Sequence, residues 1–485
     1  MTMPNRSAGL SYCLKKIGMK AYDSMSRDWL LPVFLSVLLA PQQLGAQQMG
    51  EQDTLRISIT EAVERALAES EEIAAARSMV DQAASQVTQA TSAALPQLSG
   101  NLTYNRAIKT IFDNIDFGPP ADSMGDSTSN LFADLPFGRR NTYVASVQLS
   151  QLLFAGGSVG AARQVARRFR SAAEDQYTEA ELELTLQVRV AYLNSVAAQS
   201  LHEIALASQR VAFEHLQQVE SFHQAGTASE FDLLRARVDY ENRDPAVVQS
   251  ANAAELALLE LKRLVNIPTD IPVALTTRQG PGMVDVDPEL LASFVEERPA
   301  LHAAHETVLM RQAAISVYSG QRLPSIRLIG NLGFQAFPST VTPPGFTGWR
   351  EDWNISLAAS WTPFDGFRTR GQIAEARAQL QQAEVEEAQL REGLQVATAA
   401  AMAEYRMARA QIDAREQTVL MAERALELAD SRFANGLSTQ LEVSDAALLL
   451  DEARVNRVQA MYDYIKALAQ LERLSGGRLE LLRLQ

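Results

Sequence analysis

The chain has 485 residues, of which 47% are hydrophobic and 21% are charged, and its formal net charge is −14. This balance is typical of a folded protein and excludes disordered and collagen-like chains. Because the charge is acidic and lysine and arginine do not cluster, the sequence also argues against nucleic acid as a partner.

Residues 1–46 are predicted to be a secretory signal peptide. An apolar stretch at residues 29–40 follows a basic segment, and Leu44-Gly45-Ala46 provides a small-residue cleavage site. A shorter signal that begins at Met25 is also complete. The alternative is a buried helix. A membrane-spanning helix is not expected, because the apolar stretch is too short to span a bilayer. The only cysteine, Cys13, lies in this segment, so the exported chain would form no disulfide.

The two halves of the chain repeat the same elements in the same order. The aligned segments are residues 73–96 with 301–324, each ending in Leu-Pro; residues 143–156 with 353–366; and the turn Phe222-His-Gln-Ala-Gly226 with Phe433-Ala-Asn-Gly436. Several matches in one order indicate a tandem duplication.

The first repeat is predicted over residues 58–264, after an N-terminal segment at 47–57. Its first helix, at 58–95, begins with the capping box Ser58-x-x-Glu61 and ends before Pro96. The elements that follow are strands at 97–105 and 141–154, a long helix at 158–223 and a helix at 229–264.

The second repeat is predicted over residues 298–474. Its elements are a helix at 299–322, strands at 325–335 and 352–362, a long helix at 368–433 and a helix at 439–474. The segments 265–297 and 475–485 follow neither a helix nor a strand period for long, and we expect them to form a mixed equatorial belt with residues 47–57.

The long helices are predicted to be staves in a wall. A helix of this length extends for roughly 100 Å, about twice the length of each flanking helix. In the first long helix, one apolar stripe includes Leu184 and Val188 and another includes Leu186 and Val190, on flanks roughly 160° apart. A helix in a thick bundle, the alternative, would have one broad stripe. These helices make the predicted fold mostly α and built from a tandem structural repeat. Together with the strands described next, the predicted fold class is an α+β membrane protein.

The four predicted strands alternate apolar and polar residues and have the length of a tilted membrane strand. Candidate membrane-interface aromatics are Tyr104, Tyr143, Trp349, Trp353 and Trp361. A half-buried sheet in a soluble protein would show the same alternation. Open strand edges are not tolerated in lipid, however, and the smallest single-chain barrels need about eight strands. The strands must then be shared between subunits, and a trimer would supply twelve.

With these features, the chain resembles the TolC-like outer membrane factor family over about residues 55–475. The resemblance rests on Leu95-Pro96, Leu323-Pro324, the strand-to-helix passage Trp361-Thr-Pro-Phe-Asp-Gly366, and the two turns that end in Gly226 and Gly436. It implies a homotrimer with a shared 12-stranded β-barrel in outer-membrane lipid and a coiled-coil α-barrel that crosses the periplasm. Such a porin-like channel is the passive exit duct of a tripartite efflux pump or a type I secretion system. Its implied partners are a periplasmic adaptor (membrane fusion) protein and an inner-membrane RND or ABC transporter.

The resemblance also implies that the two turns form the periplasmic tip. The candidate contacts of the tip and the adaptor are Gly226, Thr227, Ser229, Gly436, Leu437, Ser438 and Thr439. The family's gate acids lie six and nine residues after the second turn glycine, at Glu442 and Asp445, and Asp232 lies six after the first. Ser438 stands where some members have a basic residue that latches the closed state. The alternative is helix capping alone, because Ser229-x-x-Asp232 and Thr439-x-x-Glu442 both fit a capping box.

No reactive constellation is present, so we expect neither an enzyme nor a cofactor. His302 and His305 share a helix face, but their surroundings lack the further ligands and spacing of a zinc site. The alternative function is an exported, non-membrane coiled-coil scaffold protein, which would stay soluble without detergent. The transported substrate, and the choice between an RND and an ABC partner, stay open at this point.

Overall fold

The computed structural model describes residues 54–109, 140–276, 282–345 and 348–479. The chain divides into two units, Met1–Gln52 and Asp53–Gln485, and all described residues belong to the second unit. The predicted signal peptide at 1–46 and most of the predicted segment at 47–57 therefore lie outside the described residues.

The described part of the first repeat contains four helices and two long strands, preceded by a short strand. In chain order the elements are β1 (Leu55–Ile57), α1 (Ile59–Glu69), α2 (Glu71–Ser92), β2 (Gln97–Arg106), β3 (Asn141–Ala155), α3 (Ser158–Gln224) and α4 (Glu230–Leu264). The helix α3 has 67 residues.

The linker and the second repeat continue this plan. The elements are β4 (Val273–Leu275), α5 (Pro288–Ser293), a 3-10 helix (Phe294–Glu297), α6 (Pro299–Gly320), β5 (Ser325–Ala336), β6 (Arg350–Ser360), α7 (Arg368–Ala434) and α8 (Gln440–Leu474). The helix α7 also has 67 residues. The predicted fold class, a mostly helical chain with four long strands and a tandem repeat, is confirmed.

The first predicted helix, at 58–95, is wrong as a single element because the chain breaks at Ser70. Ser58 and Glu61 form the predicted capping box at the start of α1. Ser70 has extended backbone angles, and its hydroxyl accepts a hydrogen bond from the backbone N–H of Glu72 at 3.2 Å. Serine competes for backbone hydrogen bonds in this way and favours helix starts over helix interiors. The apolar period alone did not predict this break.

The other predicted helices and strands differ from the observed bounds by two residues at most. The helix predicted at 299–322 ends at Gly320, shortly before Pro324. The strand predicted at 352–362 ends at Ser360, because Pro363 cannot donate a hydrogen bond to a sheet.

The helices pack side by side around α3. It contacts α1, α2 and α4 of its own repeat and α6 and α8 of the second repeat, and α6 and α8 also contact α7. The shorter helices therefore lie in series beside the long ones, and α6 and α8 lie between α3 and α7. Among the described residues, we find no helix that combines the length and the apolar character needed to cross a membrane.

The largest buried core lies where the helices meet the belt. It includes Leu184 and Tyr192 of α3, Tyr405 of α7 and Tyr464 of α8. The strands β1 and β4 pair in parallel beside it, and the Tyr192 hydroxyl donates to the carbonyl oxygen of Ile57 at 3.1 Å. The belt thus contributes buried contacts that join the two repeats.

The four long strands form an antiparallel sheet in the order β2-β3-β5-β6. Residues directly opposite one another share a face, so the register separates two surfaces. One face is largely apolar and includes Leu98, Leu102, Val147, Leu149, Leu332, Trp353, Ile355 and Leu357. The other face is mostly polar and includes Ser99, Asn101, Ser146, Gln148, Asn331, Asn354 and Ser356. In the described chain, β2 and β6 each have one partner strand, so each leaves one edge open.

Candidate functional site

The two turns that join the long helices to α4 and α8 have the same backbone structure. Gly226 has φ +72° and Gly436 has φ +70°, a conformation that favours glycine. The backbone N–H of Thr227 donates to the Phe222 carbonyl oxygen, and that of Leu437 donates to the Arg432 carbonyl oxygen, both at 2.8 Å. Each long helix therefore ends in a Schellman motif that satisfies its last carbonyl groups.

The two turns lie next to each other. The rings of Phe222 and Phe433 have centroids 5.8 Å apart at an interplanar angle of 54°. Val219 and Val443 are buried close to these rings, in clusters that each include Phe433. The repeats thus bring both turns to one end of the helical region, which we call the tip.

Asp232 lies at the start of α4 and forms a complete capping box. Its carboxylate accepts hydrogen bonds from the Ser229 hydroxyl at 2.6 Å and the Ser229 backbone N–H at 3.2 Å. The Ser229 hydroxyl in turn accepts from the Asp232 backbone N–H at 3.2 Å. The capping role is observed for this acid, and its gating role stays a prediction.

The second predicted capping box, Thr439-x-x-Glu442, is incomplete. The Thr439 hydroxyl accepts from the Glu442 backbone N–H at 3.4 Å, but the Glu442 carboxylate does not bond back to the helix start. It lies instead 3.9 Å from Nη2 of Arg432, at the end of α7. Arg432 also donates to the Leu437 carbonyl oxygen at 3.3 Å, so it crosses the turn. Local sequence patterns did not predict this contact, because it joins the first turn of α8 to the end of the preceding helix, α7.

Asp445 lies one turn after Glu442 on α8 and is exposed. Within the described part of the chain, its carboxylate has neither an ion pair nor a hydrogen bond. Ser438, at the position of the family's latch, carries no charge, and its hydroxyl donates to the Ala429 carbonyl oxygen at 3.3 Å. The tip therefore presents one acid in a capping box, one in a weak ion pair and one that faces solvent.

The candidate interface aromatics fall into groups at the ends of the sheet. Tyr104 and Tyr143 have ring centroids 4.6 Å apart, and Tyr143 and Trp349 have centroids 6.4 Å apart, at the end farther from the helices. Trp361 lies at the opposite end, where its indole N–H donates to the Arg322 carbonyl oxygen at 3.1 Å. Trp353 is 70% exposed on the apolar face. Aromatic residues near both ends of an apolar band are typical of membrane strands, and this role stays a prediction.

A polar cluster above the tip was also not predicted from the sequence. His215 of α3 lies 3.4 Å, from Nε2 to Oδ1, from Asp430 of α7. Burial raises the pKa of Asp430, and the nearby His215 opposes that shift. The spacing in the sequence could have indicated this contact. His215 lies seven residues before Phe222, and Asp430 lies three residues before Phe433. Each polar residue therefore shares a helix face with a phenylalanine of the tip.

Comparison with known proteins agrees with this architecture. The family model described as "Outer membrane efflux protein" matches residues 62–266 and 290–477. Protein CyaE of Bordetella pertussis is 27% identical over 57% of this chain, and the match spans only 58% of CyaE. The pyoverdine export outer membrane protein OpmQ of Pseudomonas aeruginosa is 24% identical, over 86% of this chain and 84% of OpmQ. The crystal structure of the Campylobacter jejuni CmeC outer membrane channel superposes with a TM-score of 0.70 at 20% identity, over 87% of this chain and 86% of CmeC.

Proposed function

Since this chain belongs to the outer membrane efflux protein family, we propose that it is the exit duct of a tripartite efflux pump or a type I secretion system. The chain is an outer membrane protein, and the family's members are channels. In this proposal it conducts substrates passively from the periplasm to the exterior and catalyses no reaction.

The observation that carries the proposal is the division of the sheet into an apolar face and a polar face. Leu102, Trp353 and Ile355 on the apolar face are 74%, 70% and 69% exposed in the single chain. An apolar surface of this extent in contact with water would favour association with other apolar surfaces. In lipid the same surface would already lie in an apolar environment. The polar face would then line an aqueous lumen, as in outer-membrane barrels.

The open edges of β2 and β6 support a trimer. Unpaired backbone groups are costly in lipid, so each edge needs a partner strand. A single sheet of four strands is too narrow to curl into a barrel, while three copies supply twelve strands. In such a ring, β6 of one subunit would pair with β2 of the next, and the helices would continue the wall below.

The tip is proposed to be the periplasmic end, where the duct closes and the adaptor binds. The sheet and the tip lie at opposite ends of α3, which by its length would extend for roughly 100 Å. Asp445 and Glu442, repeated in three subunits, would form a ring of acids that attracts cations and repels anions. The inner-membrane partner would be an RND or an ABC transporter, and OpmQ, an export protein by name, supports a role in export.

Fractionation combined with a mass measurement tests the proposal. The duct should sediment with the outer membrane, need detergent for extraction, and give a particle with the mass of three chains. A chain that stays soluble without detergent would instead indicate an exported coiled-coil scaffold. A detergent-extracted monomer would contradict the shared barrel.

A further inference from the structure

A small cavity lined partly by charged side chains lies among the four helices that meet at the tip. Its volume is about 20 Å³, sufficient for one water molecule, and it is lined by residues of α3, α4, α7 and α8. The charged and titratable groups that line it are His215 of α3, Asp239 and Arg243 of α4, and Asp451 and Arg454 of α8. Asp430 of α7 faces the same histidine.

Most of these charges have fixed partners. Arg243 pairs with Asp451, and its Nη2 lies 3.5 Å from Oδ1 of Asp239. Asp451 also accepts a hydrogen bond from the Ser208 hydroxyl at 2.6 Å. Arg454 pairs with Glu423 of α7 at 3.0 Å. Arginine stays protonated at all physiological pH values, so these contacts change little between pH 5 and pH 8.

The contact between His215 and Asp430 differs because one partner is a histidine, a side chain whose charge depends on pH. The His215 side chain is 14% exposed, and its Nδ1 has no hydrogen-bond partner among the residues that the structure describes. The 3.4 Å contact is not aligned as a hydrogen bond, and Oδ1 of Asp430 has no hydrogen-bond partner in the described part of the chain. The attraction between the two groups therefore depends mainly on charge. It is present only when the imidazole is protonated and the carboxylate is ionised.

This pair joins the two repeats beside the tip. His215 lies two turns above Phe222 on α3, and Asp430 lies one turn above Phe433 on α7. The contact between His215 and Asp430 and the contact between the two rings therefore lie along the same line between α3 and α7. We propose that protonation of His215 strengthens the contact between α3 and α7 and so favours the closed tip at mildly acidic pH. This inference rests on the proposed function of the chain as a duct that closes at the tip.

The direction follows from the ordinary protonation of the two side chains. A histidine ordinarily gains its proton as the pH falls through about 6.5. The protonated imidazolium attracts the Asp430 carboxylate, whereas the neutral ring does not. Burial raises the pKa of Asp430, so the attraction weakens again where the carboxyl group itself becomes protonated. Closure is therefore favoured most where the imidazole carries its proton and the carboxylate is still ionised.

Recordings in planar lipid bilayers with the purified, full-length assembly test this inference. The ratio of closed to open time should be at least about fivefold higher at pH 5.5 than at pH 8.0, a coupling typical of a regulatory contact. His215→Gln should abolish that pH dependence. His305→Gln is the matched control, because His305 forms a similar pair with Glu387 at 3.5 Å but lies on α6, away from the tip. The control should retain the pH dependence of the unchanged protein.

Three outcomes separate the inference from the proposed function. A pH dependence that persists in His215→Gln, or that is absent from the unchanged protein, would overturn the inference alone. An assembled trimer that inserts into bilayers but conducts no ions at any pH would contradict the proposed function. If His215→Gln does not assemble, Asp430→Asn removes the other charge of the pair and should abolish the same pH dependence.

Discussion

Asp445 is the most informative of the three candidate gate acids. The carboxylate of Asp232 caps α4, and that of Glu442 faces Arg432, so each has a local structural role. Asp445 has no such partner among the described residues and is exposed. A functional effect of its removal would therefore not be explained by a lost helix cap.

We expect Asp445→Ala to increase single-channel conductance and to reduce the preference for cations. In the proposed trimer, removing this acid from every subunit would lower the negative potential at the tip and widen the opening. The double variant with Glu442→Ala should increase conductance further. Asp413→Ala removes an exposed acid in the middle of α7 and is the control. Unchanged conductance and ion selectivity in Asp445→Ala would remove this residue from the gate.

The two faces of the sheet give a second prediction, from neighbouring residues of β3. Val147 lies on the apolar face, opposite Gly100 and Leu332, whereas Ser146 lies on the polar face. Val147→Arg should destabilise the assembly by about 2–4 kcal/mol per chain if this residue lies near the bilayer midplane. Ser146→Arg would face the lumen and should assemble almost normally. The yield of detergent-stable trimer measures both, and equal yields would contradict the assigned orientation.

Among the elements, the two turns at the tip depend on glycine for their backbone conformation. Gly436 has φ +70° and open space around the position of a Cβ atom, so backbone strain and not crowding would oppose a side chain. Gly436→Ala should cost about 1 kcal/mol. Gly393 lies inside α7, also with open space, and Gly393→Ala should stabilise the helix by about 0.5–1 kcal/mol. The thermal midpoint of the purified particle should shift in opposite directions for the two variants.

The long elements could be predicted from the sequence because their periods extend over many turns. The bounds of α3, Ser158–Gln224, differ by one residue from the prediction, since glycine marks both of its ends. Shorter signals were less decisive. Ser70 ends one helix and begins the next, but the apolar period continues across it, so no change of pattern marks the break.

The candidate site was predicted only as far as local spacing permits. The turn glycines and the Ser229 capping box are features of a few neighbouring residues, and the structure contains both. Arg432 near Glu442 and His215 near Asp430 are contacts between different helices. Their partners depend on how α3, α7 and α8 align, which no local pattern specifies.

At the scale of the whole molecule, a cluster of buried charges joins the two repeats. Arg298, at the start of α6, is 1% exposed, and Glu179 of α3 lies 3.5 Å from it and 3.1 Å from Arg473 of α8. Burial lowers the pKa of Arg298, Glu179 opposes this shift, and Arg473 adds to it. Glu179 is therefore the counter-charge for the buried Arg298 and also pairs with Arg473.

Glu179→Gln should destabilise the chain by about 3 kcal/mol, because it leaves a buried guanidinium uncompensated. Glu260→Gln is the control, since Glu260 pairs with Arg263 on the exposed surface of α4. A surface pair of this kind contributes at most about 1 kcal/mol. Denaturant titration of the two variants compares them, and equal losses of stability would contradict a special role for the buried cluster.

The open edges and the apolar face of the sheet also bear on biogenesis. If the sheet closes only when three copies meet, a newly exported chain carries both features through water before it reaches lipid. Unpaired edges and broad apolar surfaces are where chains aggregate. A chaperone that shields the strands in transit would then determine how many chains mature, and depleting it should lower the amount of duct without changing the fold of the helices.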